Sequence, residues 1–203
     1  MENVGKTSVG RFCQRVVQVS AISSAILALL TQGNAYGLQL RNELDARLRR
    51  EKSTNVGQIY KSLDRLVESE LIVQSELTHD GLPLYALTQS GRAAALQWLV
   101  SPQIEERNQW EAMVVQVMIA RSLVGVESET LVLSFQTLWQ NRLLAAQEAF
   151  AHDVSSDLRS SADEQLSLAA LSWLNRVRET SDSGWALSTI RPVRGRPAAS
   201  AGR

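Results

Sequence analysis

Asn55-Val56-Gly57-Gln58-Ile59-Tyr60-Lys61-Ser62-Leu63-Asp64-Arg65-Leu66-Val67-Glu68-Ser69-Glu70 is the stretch on which the reading of this chain turns. Val56, Ile59, Tyr60, Leu63, Leu66 and Val67 recur at helical spacing and predict one continuous apolar face. Thr54 or Asn55 supplies the N-cap. Gln58, Lys61, Ser62 and Arg65 form a polar stripe elsewhere on the same cylinder. Taken alone, such a stripe is the solvated side of an ordinary surface helix; its neighbours decide whether it does more.

Upstream, Ile22, Ile26, Leu29 and Leu30 mark a helix that starts near Ser20 and ends at Gly33-Asn34. A second helix follows from Tyr36, with Leu40, Leu44 and Leu48 inward and Arg41, Glu43, Arg47 and Arg50 outward. Downstream, Leu71 to Leu77 and Leu82 to Leu87 read as strands joined through Thr78, His79, Asp80 and Gly81. Thr88 caps a further helix with Ala93, Leu96, Leu99 and Val100 inward, and Ser101-Pro102 breaks it. Three helices, a hairpin and a helix make a winged helix-turn-helix with a two-stranded wing. That layout needs a reading helix buried on one side and open on the other. Asn55, Gln58, Tyr60, Lys61, Ser62 and Arg65 are therefore the candidate DNA-contacting residues.

The rest of the pattern is helical, so the expected fold class is mainly α. Trp110, Met113, Val114, Val117 and Met118 mark one amphipathic helix, and Leu131, Phe135, Leu138, Trp139, Leu143 and Ala146 a longer one. Leu166, Ala170, Trp173, Leu174 and Val177 mark a third, after a Ser/Asp-rich loop from Asp153 to Asp163. The expected organisation is an N-terminal arm (1–19), a winged helix-turn-helix (20–101), a helical dimerisation domain (102–181) and a disordered basic tail (182–203).

The 203 residues carry no net charge, but the charge is segregated: +2 over 1–15, zero over 16–101, −5 over 102–180 and +3 over 181–203. Phosphate contacts should then be local rather than spread over one basic surface. Cys13 is the only cysteine, which excludes an intrachain disulfide and argues against a thiolate metal site. No nucleotide-binding loop, metal-ligand cluster or nucleophile-base arrangement is legible, so neither an enzyme nor a cofactor is expected. Neither a secretory leader nor a membrane span is read, and the expected location is the cytoplasm.

Several segments together resemble the PadR family of transcriptional regulators. These are Ile26-Leu27-Ala28-Leu29-Leu30 with Gly33 and Tyr36-Gly37, the recognition-helix run Gly57 to Leu66, and Tyr85-Ala86-Leu87-Thr88-Gln89-Ser90-Gly91. Leu171-Ser172-Trp173-Leu174 is similar to a pair seen in the helical C-terminal domain of the longer members. The resemblance implies a homodimeric repressor of a nearby promoter that binds an inverted repeat in double-stranded DNA. It also implies release by a small aromatic or otherwise hydrophobic effector. Three positions depart from the family pattern. Leu38 stands where a second aromatic is frequent, and Glu70 replaces a glycine at the end of the reading helix. The wing reads Gly81-Leu82-Pro83-Leu84-Tyr85 with no arginine or lysine beside the proline, so its phosphate contact should be weak.

Two further features bear on function. Arg194-Gly195-Arg196-Pro197, with Arg191 upstream, resembles the core of an AT-hook, which lays arginines along a narrow minor groove. The plainer account is a solubilising basic tail. Trp98, between the reading head and the helical half, could line an effector pocket or simply pack a hinge. A contrasting reading of the whole chain is a protein-interaction module that uses the winged helix as a docking surface without binding DNA. The uncharged wing and neutral front domain favour it.

Overall fold

The computed structural model describes residues 20–49, 53–77, 81–103, 109–152, 157–181 and 184–188. Helix α1 (Ala21–Leu30) begins where the Ser20 hydroxyl accepts the Ser23 N–H at 3.3 Å, and every residue from Ser23 to Leu30 is buried. Strand β1 (Ala35–Tyr36) leads directly into α2 (Gly37–Arg47), and α3 (Val56–Glu68) follows. Strands β2 (Ile72–Leu77) and β3 (Pro83–Leu87) then form the hairpin, and α4 (Gln89–Val100) leaves it under a cap from the Thr88 hydroxyl to the Gly91 N–H, 3.0 Å.

The sheet has three strands rather than the expected two, in the antiparallel order β1-β3-β2. Ala35 and Tyr36 pair with Tyr85 and Leu84. Two residues are too few to show an alternation, so only the pairing partner reveals this strand. Between Gln74 and Leu77 the β2–β3 register shifts, which bends the wing near its tip.

The turn from α3 into β2 explains one departure from the family pattern. The Leu71 N–H reaches back to the Leu66 carbonyl at 2.9 Å, six residues closing on one, and Glu70 takes φ 56° to allow it. This is the left-handed conformation in which a Cβ is costly and glycine is favoured. Just beyond, Gly91 packs so tightly under the same turn that an added Cβ would lie 1.8 Å from the Leu71 carbonyl oxygen.

Helices α5 (Gln109–Ser122), α6 (Glu129–His152) and α7 (Asp157–Glu179) complete the chain. Nearly all of α5 is buried or half-buried, polar Gln116 included, so it is a central post rather than the one-sided helix expected. Gln116 is satisfied there: its amide donates to the carbonyls of Trp98 and Ser101, and its oxygen accepts the Gln103 N–H. Helices α6 and α7 form an antiparallel pair, tied by Arg178–Glu129 at 2.9 Å, Gln136–Asn175 at 2.6 Å and Arg142–Asp163 at 2.8 Å. Trp139 is fully buried, its indole N–H on the Met113 sulfur, while Trp110 and Trp173 pack tilted at 5.9 Å.

Several expectations are corrected. Residues 157–163, read as loop, are the first turns of α7, where Asp163 is held by Arg142. In α4 the inward residues are Gly91, Ala95, Trp98 and Leu99, whereas Ala93, Leu96 and Val100 face out. Leu166 is likewise exposed on α7. Glu43 and Arg47 of α2, expected outward, are buried as an ion pair. Residues 184–188, assigned to a disordered tail, lie docked on α2, held by hydrogen bonds to Gln39, Glu43 and Arg47. One apolar core runs from Ala25 to Leu174 and does not stop at the Ser101-Pro102 break. Among the described residues no helix is long and apolar enough to cross a membrane, and no group of three His, Cys, Asp or Glu side chains could hold a metal ion.

Replacing Glu70 by glycine should relieve the strained turn and raise stability by about 1 kcal/mol, less the entropy that glycine adds to the unfolded chain. Urea denaturation of Glu70→Gly beside the parent chain checks this, with an increased midpoint as the expected result.

Candidate nucleic-acid interface

The site is built from the turn that feeds α3. Ahead of it, the Asp45 carboxylate, one helical turn after Arg41 on α2, accepts the Thr54 N–H at 2.9 Å and the Thr54 hydroxyl at 2.6 Å, and also the Ser53 hydroxyl. The Arg41 Nε donates to the Thr54 carbonyl at 2.7 Å. Burial raises the Asp45 pKa, but the hydrogen bonds from Ser53 and Thr54, with the charge of Arg41, outweigh it and hold the carboxyl below its ordinary value. Two side chains of α2 thus fix the point at which α3 begins. Asn55 then caps α3, its Oδ1 accepting the Gly57 N–H at 2.8 Å.

Helix α3 divides into two faces. Ile59, Ser62, Leu63 and Leu66 are buried, and Gln58, Lys61 and Arg65 lie exposed on one stripe at i, i+3 and i+7. Ser62, expected on that stripe, is turned inward; at 7% exposure it belongs beside Ile59 and Leu63 and is no groove contact in this arrangement. Tyr60 is 38% exposed, and its ring covers the start of α2 so closely that a Cβ on Gly37 would meet Cε1 at 2.9 Å. Val56 and Val67, expected in the apolar face, are exposed. Asn55 is exposed but engaged as the cap.

Sequence reasoning missed Gly57 and Asp64, which share the exposed face with Lys61, and the exposure of Val56 at the helix start. The signal was present: centring the helix projection on Ile59, Leu63 and Leu66 puts Gly57, Lys61 and Asp64 outermost. An exposed valine at the helix start suits a thymine methyl, and glycine allows backbone to come close. Asp64 and Glu68 set two negative charges beside Lys61 and Arg65, so this face has no strong net charge.

The wing adds little positive potential. No arginine or lysine occurs in 71–87, and Leu77 near the tip is 70% exposed. Trp98 is 5% exposed and belongs to the apolar core. Two shallow hollows lie elsewhere. One, of about 350 Å³, is lined by Arg121, Glu129 and Arg178 among others; the second, of about 470 Å³, is lined by Leu138, Arg142, Ala146 and Asp163 among others. Trp98 borders neither. Arg191, Arg194 and Arg196 lie outside the described residues.

Residues 26–97, which run from α1 into α4 and include all of α3, match the family model described as the Transcriptional regulator PadR-like family. No curated protein matches the chain. Among solved structures, Bacillus subtilis PadR in complex with operator DNA is 19% identical, covering 81% of this chain and 100% of that one with a TM-score of 0.38. The same protein in complex with p-coumaric acid is 23% identical, covering 78% and 96% with a TM-score of 0.36. The Vibrio cholerae virulence activator AphA is 18% identical, covering 78% and 94% with a TM-score of 0.35.

Asp45→Ala leaves the buried Thr54 donors without their acceptor and should cost about 1–3 kcal/mol. Because the folded pKa is depressed, this contribution is complete above the ordinary carboxylate range and is lost as pH falls through the lowered value. The stability gap between parent and Asp45→Ala, measured by denaturant titration, should therefore stay constant from neutrality to about pH 5 and close in stronger acid.

Proposed function

We propose that this chain is a DNA-binding transcriptional regulator, a repressor that acts as a homodimer on an inverted repeat. Residues 20–101 serve as the reading head and 102–181 as the dimerisation part. The observation that carries the reading is the split of α3, with Ile59, Leu63 and Leu66 sunk in the core and Gln58, Lys61 and Arg65 open, within the segment that matches the regulator family. Gln58 suits adenine, Lys61 and Arg65 suit guanine or phosphate, and Val56 suits a thymine methyl. Asn55 and Tyr60 frame the start of this surface.

A second copy is favoured by apolar surface on the helical half. Leu133 and Leu144, about three turns apart on α6, are 43% and 57% exposed, and Leu158 on α7 is 87% exposed. Two-fold pairing would present two reading helices to one palindrome. Release by a small aromatic or hydrophobic effector belongs to the same proposal. Trp98, assigned to its pocket, is enclosed, so a ligand reaching it must displace the core side chains that cover it. Arg191, Arg194 and Arg196 are assigned to phosphate or minor-groove contacts beside the operator. The competing reading, a protein-docking module, is favoured by the uncharged wing with its exposed Leu77.

Fluorescence anisotropy with duplex from upstream of the chain's own gene separates the two. The regulator reading expects saturable binding that is lost in the double variant Lys61→Ala, Arg65→Ala; a folded parent chain that binds no such duplex favours the docking reading. Truncation after Ser188 should weaken binding most at low salt and flatten the plot of log affinity against log salt by about 0.9 for each phosphate contact removed. An unchanged slope would remove the tail from the interface.

A further inference from the structure

Arg47 is 2% exposed, and its guanidinium draws partners from three parts of the chain. Glu43 on its own helix accepts at 3.0 Å, and the Ser122 carbonyl and hydroxyl at the end of α5 accept from Nη1. The third partner is the segment 184–188. The Trp185 carbonyl accepts from Nη2 at 2.9 Å, and its ring lies 4.7 Å from the guanidinium carbon. The segment is fitted at both ends. A Cβ on Gly184 would stand 2.6 Å from the Leu123 carbonyl oxygen, and the Trp185 N–H donates to the Ser122 carbonyl at 3.1 Å. Farther on, the Ser188 N–H donates to Glu43 at 2.6 Å, and the Gln39 amide donates to the Ser188 carbonyl at 2.8 Å.

These contacts fall on Gln39, Glu43 and Arg47, one stripe of α2 at i, i+4 and i+8. A different stripe of the same helix, Arg41 and Asp45, holds the turn that starts α3. The N-terminal end of α2 lies under Tyr60. Helix α2 is therefore gripped on one flank by the C-terminal segment and grips the reading helix with the other.

We propose that Gly184–Ser188 is a strap that sets the orientation of α2, and through it α3, with Trp185 as a positioning residue for the DNA-reading surface. Resting on the DNA-binding reading above, the strap fixes the angle at which Gln58, Lys61 and Arg65 are presented. It touches no DNA itself, so it acts on affinity without altering the number of phosphates neutralised. The face of the aromatic ring under Arg47 is the required chemistry, so phenylalanine can replace tryptophan at 185.

The test uses the full chain, with Trp185→Ala, Trp185→Phe and Ser188→Pro, and truncations after Ser183 and after Ser188. Trp185→Ala should weaken duplex binding about three- to tenfold at every salt concentration with an unchanged salt slope, and Trp185→Phe should restore most of the loss. Truncation after Ser183 should add this salt-independent loss to whatever truncation after Ser188 produces. Amide hydrogen exchange, measured without DNA, should quicken over 37–68 in Trp185→Ala. Should Trp185→Ala fail to fold, Ser188→Pro, which removes the N–H given to Glu43 together with the serine hydroxyl and leaves Trp185 in place, should show the same quickening. Unchanged exchange over 37–68 in Ser188→Pro and in the truncation after Ser183, or equal affinity of the two truncations, overturns the strap. A parent chain that binds no duplex defeats the DNA-binding reading instead, while the exchange measurement still judges the strap.

Discussion

A guanidinium taken out of water must have its charge and its N–H donors answered, because an unanswered charge in the interior costs several kcal/mol. Arg47 meets that demand by recruiting a carboxylate from its own helix, the end of α5 and the backbone near the end of the described chain. Burial lowers its pKa, the nearby Glu43 charge opposes the shift, and an arginine stays protonated regardless. The charge therefore cannot be relieved by losing a proton. Its partners must stay in place, so α2 has one seat on the helical half. The start of α3 inherits that seat through Asp45 and Thr54.

What the sequence made legible was local. Helical spacing gave α3 its buried face through Ile59, Leu63 and Leu66, while capping chemistry located Thr88 and narrowed the start of α3 to Thr54 or Asn55, of which Asn55 is the cap. The hairpin and the PadR-like resemblance were readable for the same reason: each is carried by residues close together in the chain. What escaped was set by partners far away. Glu43 and Arg47 look like ordinary surface charges until Ser122 and Trp185 come to them from 75 and 138 residues beyond Arg47. Strand β1 exists only because Tyr85 and Leu84 lie beside it. Ser62 sits at the border between the buried face and the polar stripe, and the buried arc of α4 lies about a third of a turn from the arc that Ala93, Leu96, Leu99 and Val100 suggest. The side chains proposed to meet DNA split the same way: Gln58, Lys61 and Arg65 followed from periodicity, whereas the exposure of Val56 depends on the angle at which α3 enters the core.

On the proposed DNA-binding role, the electrostatics around α3 favour discrimination over brute attraction. Lys61 and Arg65 share their face with Asp64 and Glu68, and the wing offers no cation. A surface of this kind gains little from any duplex indiscriminately, because phosphates draw mainly on net positive charge. On the proposed reading, base edges and groove shape must then supply a large share of the preference for one site. Carboxylates near the groove penalise poorly matched approaches as well.

Helix α5 has a consequence of another kind. With most of its circumference shielded and Gln116 committed to Trp98, Ser101 and Gln103, few of its positions can change without opening a void or stranding a polar group. The outward sides of α6 and α7 carry no such restriction. Over generations, substitutions should accumulate on the outward sides of those helices, while the central post stays nearly fixed.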